Sequence, residues 1–328
     1  MRQRKSVYSN LAGMAAVILM VAAIFYPLLA QAQLQSRNQN NISSTPPAEL
    51  PERLRIATWN VHDCQAVNKK TGQVLLLHSI LAQSIARERI DIIALQEVQT
   101  KGTRGSDIEP LQQALMAEGW SMSYHAVAST QQGDDLAIFS RYPVEQYGIV
   151  SQPADAAWPR AGLHATIRIH DRELVVYNFH FKAFDDPRSL EIRRAQAAAL
   201  AAHLRTRFKD GIQKAGVVLA GDFNTVSTGD FEGENATLRL LQLRENDDLS
   251  DDFESINLRW EPLEPTYRTI RFASITDHLI LSPALRSSVH ATSVQIVAAP
   301  DTGFGFPVSD HRLLIVDINP QVLPQSSR

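Results

Sequence analysis

The sequence predicts an α/β protein in which mixed β-sheets are flanked by helices. Two kinds of segment are interleaved: apolar runs of strand length and stretches whose apolar residues recur at helical spacing. Several strand runs follow one another through short turns with no helix between them, which favours mixed sheets over a purely parallel one. The chain has 328 residues, 44% of them hydrophobic, enough to bury a sizeable core. Cys64 is the single cysteine, so no internal disulfide is possible and the core alone must hold the fold. A lone cysteine also argues against a thiol or zinc-thiolate mechanism.

The first segment stands apart from that core. Arg2, Arg4 and Lys5 precede an uncharged apolar stretch from Leu11 to Ala30, broken near its end by Pro27. Ala30-Gln31-Ala32 then offers small residues at signal-peptidase spacing. Residues 1–32 therefore read as an export signal cleaved after Ala32, or as an uncleaved membrane anchor. Both readings place the remainder outside the cytoplasm: periplasmic or secreted if cleaved, anchored and facing outward if not. Without residues 1–32 the chain has 29 Lys and Arg against 35 Asp and Glu, a net charge of −6. That excludes a broadly basic surface for non-specific duplex binding, while leaving room for a local basic groove. Residues 33–53 are polar and rich in Asn, Gln, Ser and Pro, as in a flexible tether. One domain over 54–319 and a short tail, 320–328, complete the division.

Within the domain, Leu54–Asn60 alternates apolar and polar residues as a strand does. Val74–Arg89 carries Leu77, Ile80, Leu81 and Ile85 at helical spacing. Asp91–Glu97 is a short buried strand, and Ile108–Glu118 a helix stopped by Gly119. Leu136–Ser140, Gly162–His170 and Glu173–Phe181 read as strands. Pro187–Phe208 is the longest predicted helix, with Pro in its first turn. Val217–Asp222, Ser274–Leu281 and Arg312–Ile318 complete the series of strands.

Polar groups gather where these apolar runs end. Asn60 ends the first strand, Glu97 the next, and Asp222 and Asn224 the run Val217–Ala220. His180 lies near the end of its strand, with Asn178 and Lys182 on the same period-2 face. Asp277 and His278 interrupt a strand, and Asp310-His311 follow Ser309 at the opening of the last one. Each alone has a bland explanation as a turn residue or a satisfied core histidine. Together they have the proportions of carboxylate and imidazole that metal-assisted phosphate chemistry needs.

In this order the segments Ile56-Ala57-Thr58-Trp59-Asn60, Leu95-Gln96-Glu97-Val98, Leu136-Ala137-Ile138-Phe139-Ser140-Arg141, Asn178-Phe179-His180, Gly221-Asp222-Phe223-Asn224, Ile275-Thr276-Asp277-His278-Leu279-Ile280 and Ser309-Asp310-His311-Arg312 are similar to the motifs of the endonuclease/exonuclease/phosphatase family, whose fold is that of deoxyribonuclease I. The resemblance covers the chain from about Leu54 to Ile318. It implies a four-layer sandwich: two mixed β-sheets packed face to face with helices outside and the site at one end of the sheets.

It also implies roles. Glu97 would bind a divalent cation, Mg²⁺ or alternatively Mn²⁺, with Asn60 and Asp310 beside it. Asp222 would orient and deprotonate the attacking water, and Asn224 would hydrogen-bond that water or a phosphate oxygen. His311, held by Asp277, would contact a non-bridging oxygen, and His180 would be the second histidine on phosphate or leaving group. Arg160 and Lys182 would touch substrate phosphate, and Asp134 or Asp135 would pair with His180. The function implied is an exported metal-dependent phosphodiesterase, first of all a nuclease acting as a monomer. Two alternatives remain: a phospholipid, sphingomyelin or inositol-phosphate phosphoesterase of the same fold, and a non-catalytic phosphate-binding module. The aromatic residues weighed for a lipid contact or a base stack are Trp158, Phe304 and Phe306. Membrane contact is expected through the N-terminal segment alone, if it is uncleaved.

Overall fold

The computed structural model describes residues 49–326, apart from 69–70, 102–104, 130–133, 151–159, 245, 260 and 304. The expected signal segment, most of the tether, Trp158 and Phe304 lie outside the described residues. No helix among the described residues is long and apolar enough to cross a membrane.

The strands are β1 (Leu54–Asn60), β2 (Gln65–Val67), β3 (Val74–Leu76), β4 (Ile92–Val98), β5 (Tyr124–Ala128), β6 (Asp135–Ser140), β7 (Val144–Val150), β8 (Gly162–Ile169), β9 (Arg172–His180), β10 (Val217–Asp222), β11 (Glu254–Ser255), β12 (Tyr267–Arg268), β13 (Ala273–Ser274), β14 (Asp277–Leu281), β15 (Val294–Val297) and β16 (Leu313–Ile318). The main helices are α1 (His78–Arg87), α2 (Ile108–Ala117) and α3 (Pro187–Arg207), followed by the short α4 (Thr228–Phe231) and α5 (Thr237–Leu241). Two six-stranded mixed sheets form, in the orders β15-β16-β1-β4-β6-β5 and β11-β14-β10-β9-β8-β7. β2–β3 and β12–β13 are separate hairpins.

Strand alternation sorts the apolar side chains into three cores. Ile56, Ile92, Ala94 and Ile138 of the first sheet meet Leu163, Val176, Val218 and Leu279 of the second. The opposite face of the first sheet, with Ala57, Trp59, Ile93 and Leu95, packs on Leu81, Ile85, Leu111 and Leu115 of α1 and α2. The opposite face of the second, with Tyr177, Phe179, Val217 and Leu219, packs on Ala197, Leu200 and Leu204 of α3. Three cores between four layers are the sandwich that the resemblance implied. Helix α3 starts where its sequence dictates: Asp186 caps it by accepting from Ser189 N–H at 3.1 Å, with Pro187 next.

Topology brings the strand-end residues together. β1 runs parallel to β4 and antiparallel to β16; β10 runs parallel to β9 and antiparallel to β14. The C-terminal ends of β1, β4, β9 and β10 therefore lie beside the N-terminal ends of β14 and β16. Asp222 is in register with both His180 and Asp277.

Two predicted elements differ from the structure. Val74–Arg89 is not one helix: Val74–Leu76 pairs with β2, and the helix begins at His78. Ser274–Leu281 is not one strand. It breaks at Ile275-Thr276, where Thr276 N–H turns to Thr266 Oγ1 at 3.0 Å, so β13 joins the hairpin and β14 the sheet.

Candidate active site

The inner face of each strand changes from apolar to polar toward one end. On β1 the inward series runs Leu54, Ile56, Thr58, Asn60; on β9 it runs Leu174, Val176, Asn178, His180; on β10 it runs Val218, Ala220, Asp222. Thr58, Gln96 and Asn178 form the first polar layer. Gln96 Nε2 donates to Thr58 Oγ1 at 3.1 Å and to Asn178 Oδ1 at 2.7 Å. Asn178 Nδ2 donates to the carbonyls of Leu95 and Ala137 at 2.8 and 2.9 Å. Above this layer lie the groups of the site.

Glu97 reaches that site by a break in strand alternation. The register between β4 and β6 shifts between Gln96 and Val98, and Glu97 has φ 58°. This bulge re-aims a side chain that regular pleating would send outward. Asn60 Nδ2 then donates to Glu97 Oε1 at 2.9 Å and to Asp222 Oδ2 at 3.2 Å, linking the two sheets. At the end of β10, Gly221 has φ 147°, and a Cβ there would sit 2.1 Å from the Phe179 carbonyl oxygen. A glycine is required for β10 to approach β9 this closely.

Asp222 is buried between two imidazoles. Its Oδ2 is 3.5 Å from His180 Nε2 and 3.7 Å from His311 Nε2. Its Oδ1 accepts from Asn224 N–H at 2.9 Å, and Asn224 Nδ2 donates to the Phe181 carbonyl at 3.1 Å. His311 Nδ1 lies 2.9 Å from Asp277 Oδ2. Asp277 is itself held by Thr276 Oγ1–H at 3.0 Å, and its N–H by Thr266 Oγ1 at 2.9 Å. Ser309 Oγ–H donates to the Asn60 carbonyl at 2.7 Å and accepts from His311 N–H at 3.0 Å, tying β1 to the last motif.

Burial sets the protonation states. It pushes the Asp222 carboxyl up to about 7, against the pull of His311 and with the help of Asp277. It raises Glu97 as well, against the Asn60 hydrogen bond. Burial and then Arg160 and His311 hold His180 well below the usual range, so it is neutral. For His311 burial opposes the charge, but Asp277 and Asp222 outweigh it and raise it to about 10, so it is cationic.

These groups open on a cleft of ≈ 480 Å³ lined by Glu97, Arg160, His180, Asp222, Asn224, Asp310 and His311, with Phe184, Tyr267 and Phe272 as its apolar wall. The Tyr267 ring lies 4.9 Å from that of His311. Asp310 Oδ1 is 3.8 Å from His62 Nδ1. Arg160 reaches the cleft while bonded to Asp134. A larger recess of ≈ 630 Å³, lined by Arg239, Arg244 and Arg259 among others, lies away from these strand ends, and it holds no histidine.

Some expected contacts differ. Neither Asp134 nor Asp135 is bonded to His180: Asp134 takes Arg160, and Asp135 accepts from Thr100 N–H at 2.9 Å. His180 Nδ1 has no hydrogen-bond partner among the described residues. Lys182 does not line the cleft; its Nζ lies 4.6 Å from the centre of the Phe184 ring. Phe306 packs on the core beneath α1 and α2 instead of edging a groove. Arg193, on the helix that follows His180, is fully buried.

The sequence profile of the Endonuclease/Exonuclease/phosphatase family matches residues 57–311. The chain belongs to that family. Family hydrolases act on phosphoester bonds and depend on divalent metals. Among solved structures, a humanized D. rerio TDP2 is 18% identical, with a TM-score of 0.59 over 82% of this chain and 100% of its own. D. rerio TDP2 complexed with a single-strand DNA product is 17% identical, with a TM-score of 0.59 over 82% and 100%. An endonuclease/exonuclease/phosphatase from Beutenbergia cavernae is 19% identical, with a TM-score of 0.56 over 82% of this chain and 72% of its own. These likenesses show a shared fold. No curated protein matches the chain.

The family's divalent cation fits Glu97 and Asp310; Asn60, expected as a third ligand, instead turns its amide nitrogen to Glu97 and its Oδ1 to the His62 N–H, and so braces the carboxylate. Both carboxylates line the water-open cleft and offer hard oxygen donors, and the part-buried Glu97 charge needs a counter-charge that the Asn60 amide does not supply. Asp222, Asp277 and His311 also bring donor atoms within 4.8 Å of one another. There, however, His311 Nδ1 is engaged by Asp277 and the imidazole is cationic, which repels a second cation.

Proposed function

We propose that the chain is an exported, Mg²⁺-dependent phosphodiesterase that acts on nucleic acid, with Mn²⁺ as a substitute metal. The observation that carries this reading is the Asp222 carboxylate between His180 and His311, joined through Asn60 to Glu97. A cation held by Glu97 and Asp310, with Asn60 beside them, would neutralise phosphate charge as a Lewis acid.

The remaining work falls to the chain's own groups. Asp222, titrating near neutrality, takes the proton of the attacking water. Asn224 N–H fixes the carboxylate's second oxygen, leaving Oδ2 toward the cleft. Cationic His311 donates Nε2–H to a non-bridging oxygen, with its ring fixed by Asp277. Neutral His180 donates to the phosphate or the leaving oxygen. Arg160, anchored by Asp134, adds positive charge at the same wall.

Two observations favour nucleic acid. Phe184 and Phe272 offer exposed aromatic faces beside the phosphate site, as base stacking needs. The similar D. rerio TDP2 was solved with a single-strand DNA product. One observation favours a lipid phosphoester instead: Ile270, at the tip of the β12–β13 hairpin beside the cleft, is fully exposed.

The deciding experiment offers purified protein single-stranded DNA, RNA, sphingomyelin liposomes and inositol phosphates, each with Mg²⁺, Mn²⁺ or chelator, and uses His311→Ala as control. Metal-dependent cleavage of DNA or RNA supports the reading. Turnover of lipid or inositol phosphate alone replaces it, and turnover of none favours the phosphate-binding module. Export is tested by the first residue of the mature protein, where Gln33 supports cleavage.

A further inference from the structure

Three side chains from separate segments converge away from the cleft. Cys64 stands in the turn leaving β1, His78 opens α1, and Asp107 precedes α2. One donor atom of each (a sulfur, an imidazole nitrogen and a carboxylate oxygen) lies within 4.8 Å of the other two. His78 Nε2 and Asp107 Oδ1 are 2.8 Å apart, and Asp107 Oδ2 accepts from Gln99 N–H at 2.8 Å. The Cys64 side chain is fully buried, and those of His78 and Asp107 are 12% and 4% exposed.

We propose that Cys64, His78 and Asp107 form a second cation site, one that takes zinc. A thiolate, an imidazole and a carboxylate make a borderline-soft donor set, which suits zinc and not the hard Mg²⁺ of the cleft. Donors around a tetrahedral zinc, bonded at about 2.0–2.3 Å, stand roughly 3.3–3.8 Å apart. The His78–Asp107 pair opens from 2.8 Å by about half an ångström to meet this. The Gln99 N–H orients the carboxylate from behind, as outer-shell partners of metal ligands do. Cys64 also packs in the apolar core beside α1 and α2, and its sulfur adds the soft donor that a hydrogen-bonded staple of His78 and Asp107 lacks. On binding, the thiol releases its proton to solvent, and the proton between His78 Nε2 and Asp107 moves to Nδ1.

The site has a reason to be where it is. His62, Asp63 and Cys64 have consecutive φ values of 47°, 60° and 51°, a left-handed turn that non-glycine residues adopt at a cost. This turn sends Cys64 into the second site, while His62 lines the catalytic cleft. A cation on Cys64 would hold the turn that follows Asn60. Neither Cys64, His78 nor Asp107 belongs to the catalytic set, so the zinc proposal stands or falls independently of the phosphodiesterase reading.

The test uses the full chain stripped of metal and titrated with Co²⁺ as a spectroscopic stand-in for zinc. The expected result is a near-ultraviolet sulfur-to-cobalt charge-transfer band that saturates at one equivalent and is discharged by Zn²⁺. Cys64→Ser, close in size, is expected to lack the band and to bind zinc on the order of 100-fold more weakly. A wild-type chain that shows no charge-transfer band overturns the proposal, and so does a Cys64→Ser variant that holds zinc as tightly as the wild type.

Discussion

Gln96 of the first sheet donates a 2.7 Å hydrogen bond to Asn178 of the second, across the dry space between them. Asn178 in turn donates to two carbonyls of the first sheet, so one carboxamide sets the spacing of the layers just beneath His180 and Asp222. Asn178→Ala removes three hydrogen bonds from this space. A loss of about 2–4 kcal/mol is expected, read as a lower urea midpoint at unchanged m value. An unchanged midpoint would show that the pairing carries no weight.

His311 and Asp277 act as a unit. His311→Ala is expected to lower kcat by on the order of 10²–10³, about 3–4 kcal/mol of transition-state stabilisation. Asp277→Asn should lower it less. The double variant should resemble His311→Ala, because Asp277 works through the imidazole. Independent, multiplying losses in steady-state kinetics would refute the coupling.

Asp222→Asn separates chemistry from folding. As the proposed base, Asp222 accounts for a loss of on the order of 10²–10⁴ in rate. The same carboxyl is destabilised by burial, so a neutral amide should leave the melting temperature equal or higher. A variant that is both inactive and unfolded would not bear this out.

Arg193 braces the loops on either side of the cleft. Its guanidinium bonds both oxygens of Asp230 at 2.8 and 2.7 Å and the carbonyls of Lys182 and Phe184 at 3.1 and 2.7 Å. Arg193→Met strands a buried carboxylate, with an expected cost of about 3–5 kcal/mol. Arg193→Lys should not restore stability, because an ammonium cannot span these four acceptors. Thermal melts of the two variants check both statements.

His278 makes stability fall in acid. Thr225 Oγ1–H donates to the Ile275 carbonyl at 2.6 Å, so His278 Nε2–H donates to Thr225, and Ser255 Oγ lies 2.8 Å from Nδ1. Burial holds this neutral ring down to about 4, from an ordinary value of 6.5. Its contribution is present above pH 6.5 and is lost as pH falls toward 4, by up to about 1.4 kcal/mol per pH unit. Asp222, with a raised folded value, works in the opposite direction. The share of His278 is therefore the difference between wild type and His278→Gln in urea midpoints from pH 7.5 to 4.5. Parallel curves would contradict it.

The interior of both sheets was legible in the sequence, and the edges were not. β1, β4, β6, β8, β9, β10, β14 and β16 all carry apolar runs, because each is covered on both faces and paired on both sides. Within the two large sheets, the strands that pattern reading missed, β5, β7, β11 and β15, are the four edges, and the short hairpin strands β2, β3 and β12 went unread as well. Their part-buried residues, as in the uniformly intermediate Val294–Val297, carry no clean alternation. The strand-end groups of the site were visible for the same reason as the interior strands. The supports were not: Thr266, Ser309 and Gln96 act through hydrogen bonds to residues distant in sequence. One signal did exist for Gln96 and Asn178, since each is a carboxamide at an inward position of an otherwise apolar strand. The pairing of Cys64 with His78 and Asp107 left no local trace at all.

The return of the chain to its first sheet has a temporal consequence. β16 is made after every other described strand of both sheets, yet it lies directly against β1. A nascent chain acquires Asn60, Glu97 and Asp222 before it gains the cation of His311. Until then the inner edge of β1 has no partner and the phosphate seat has no imidazolium. Synthesis order thus leaves the cleft without its imidazolium until the other strands that build it have been made.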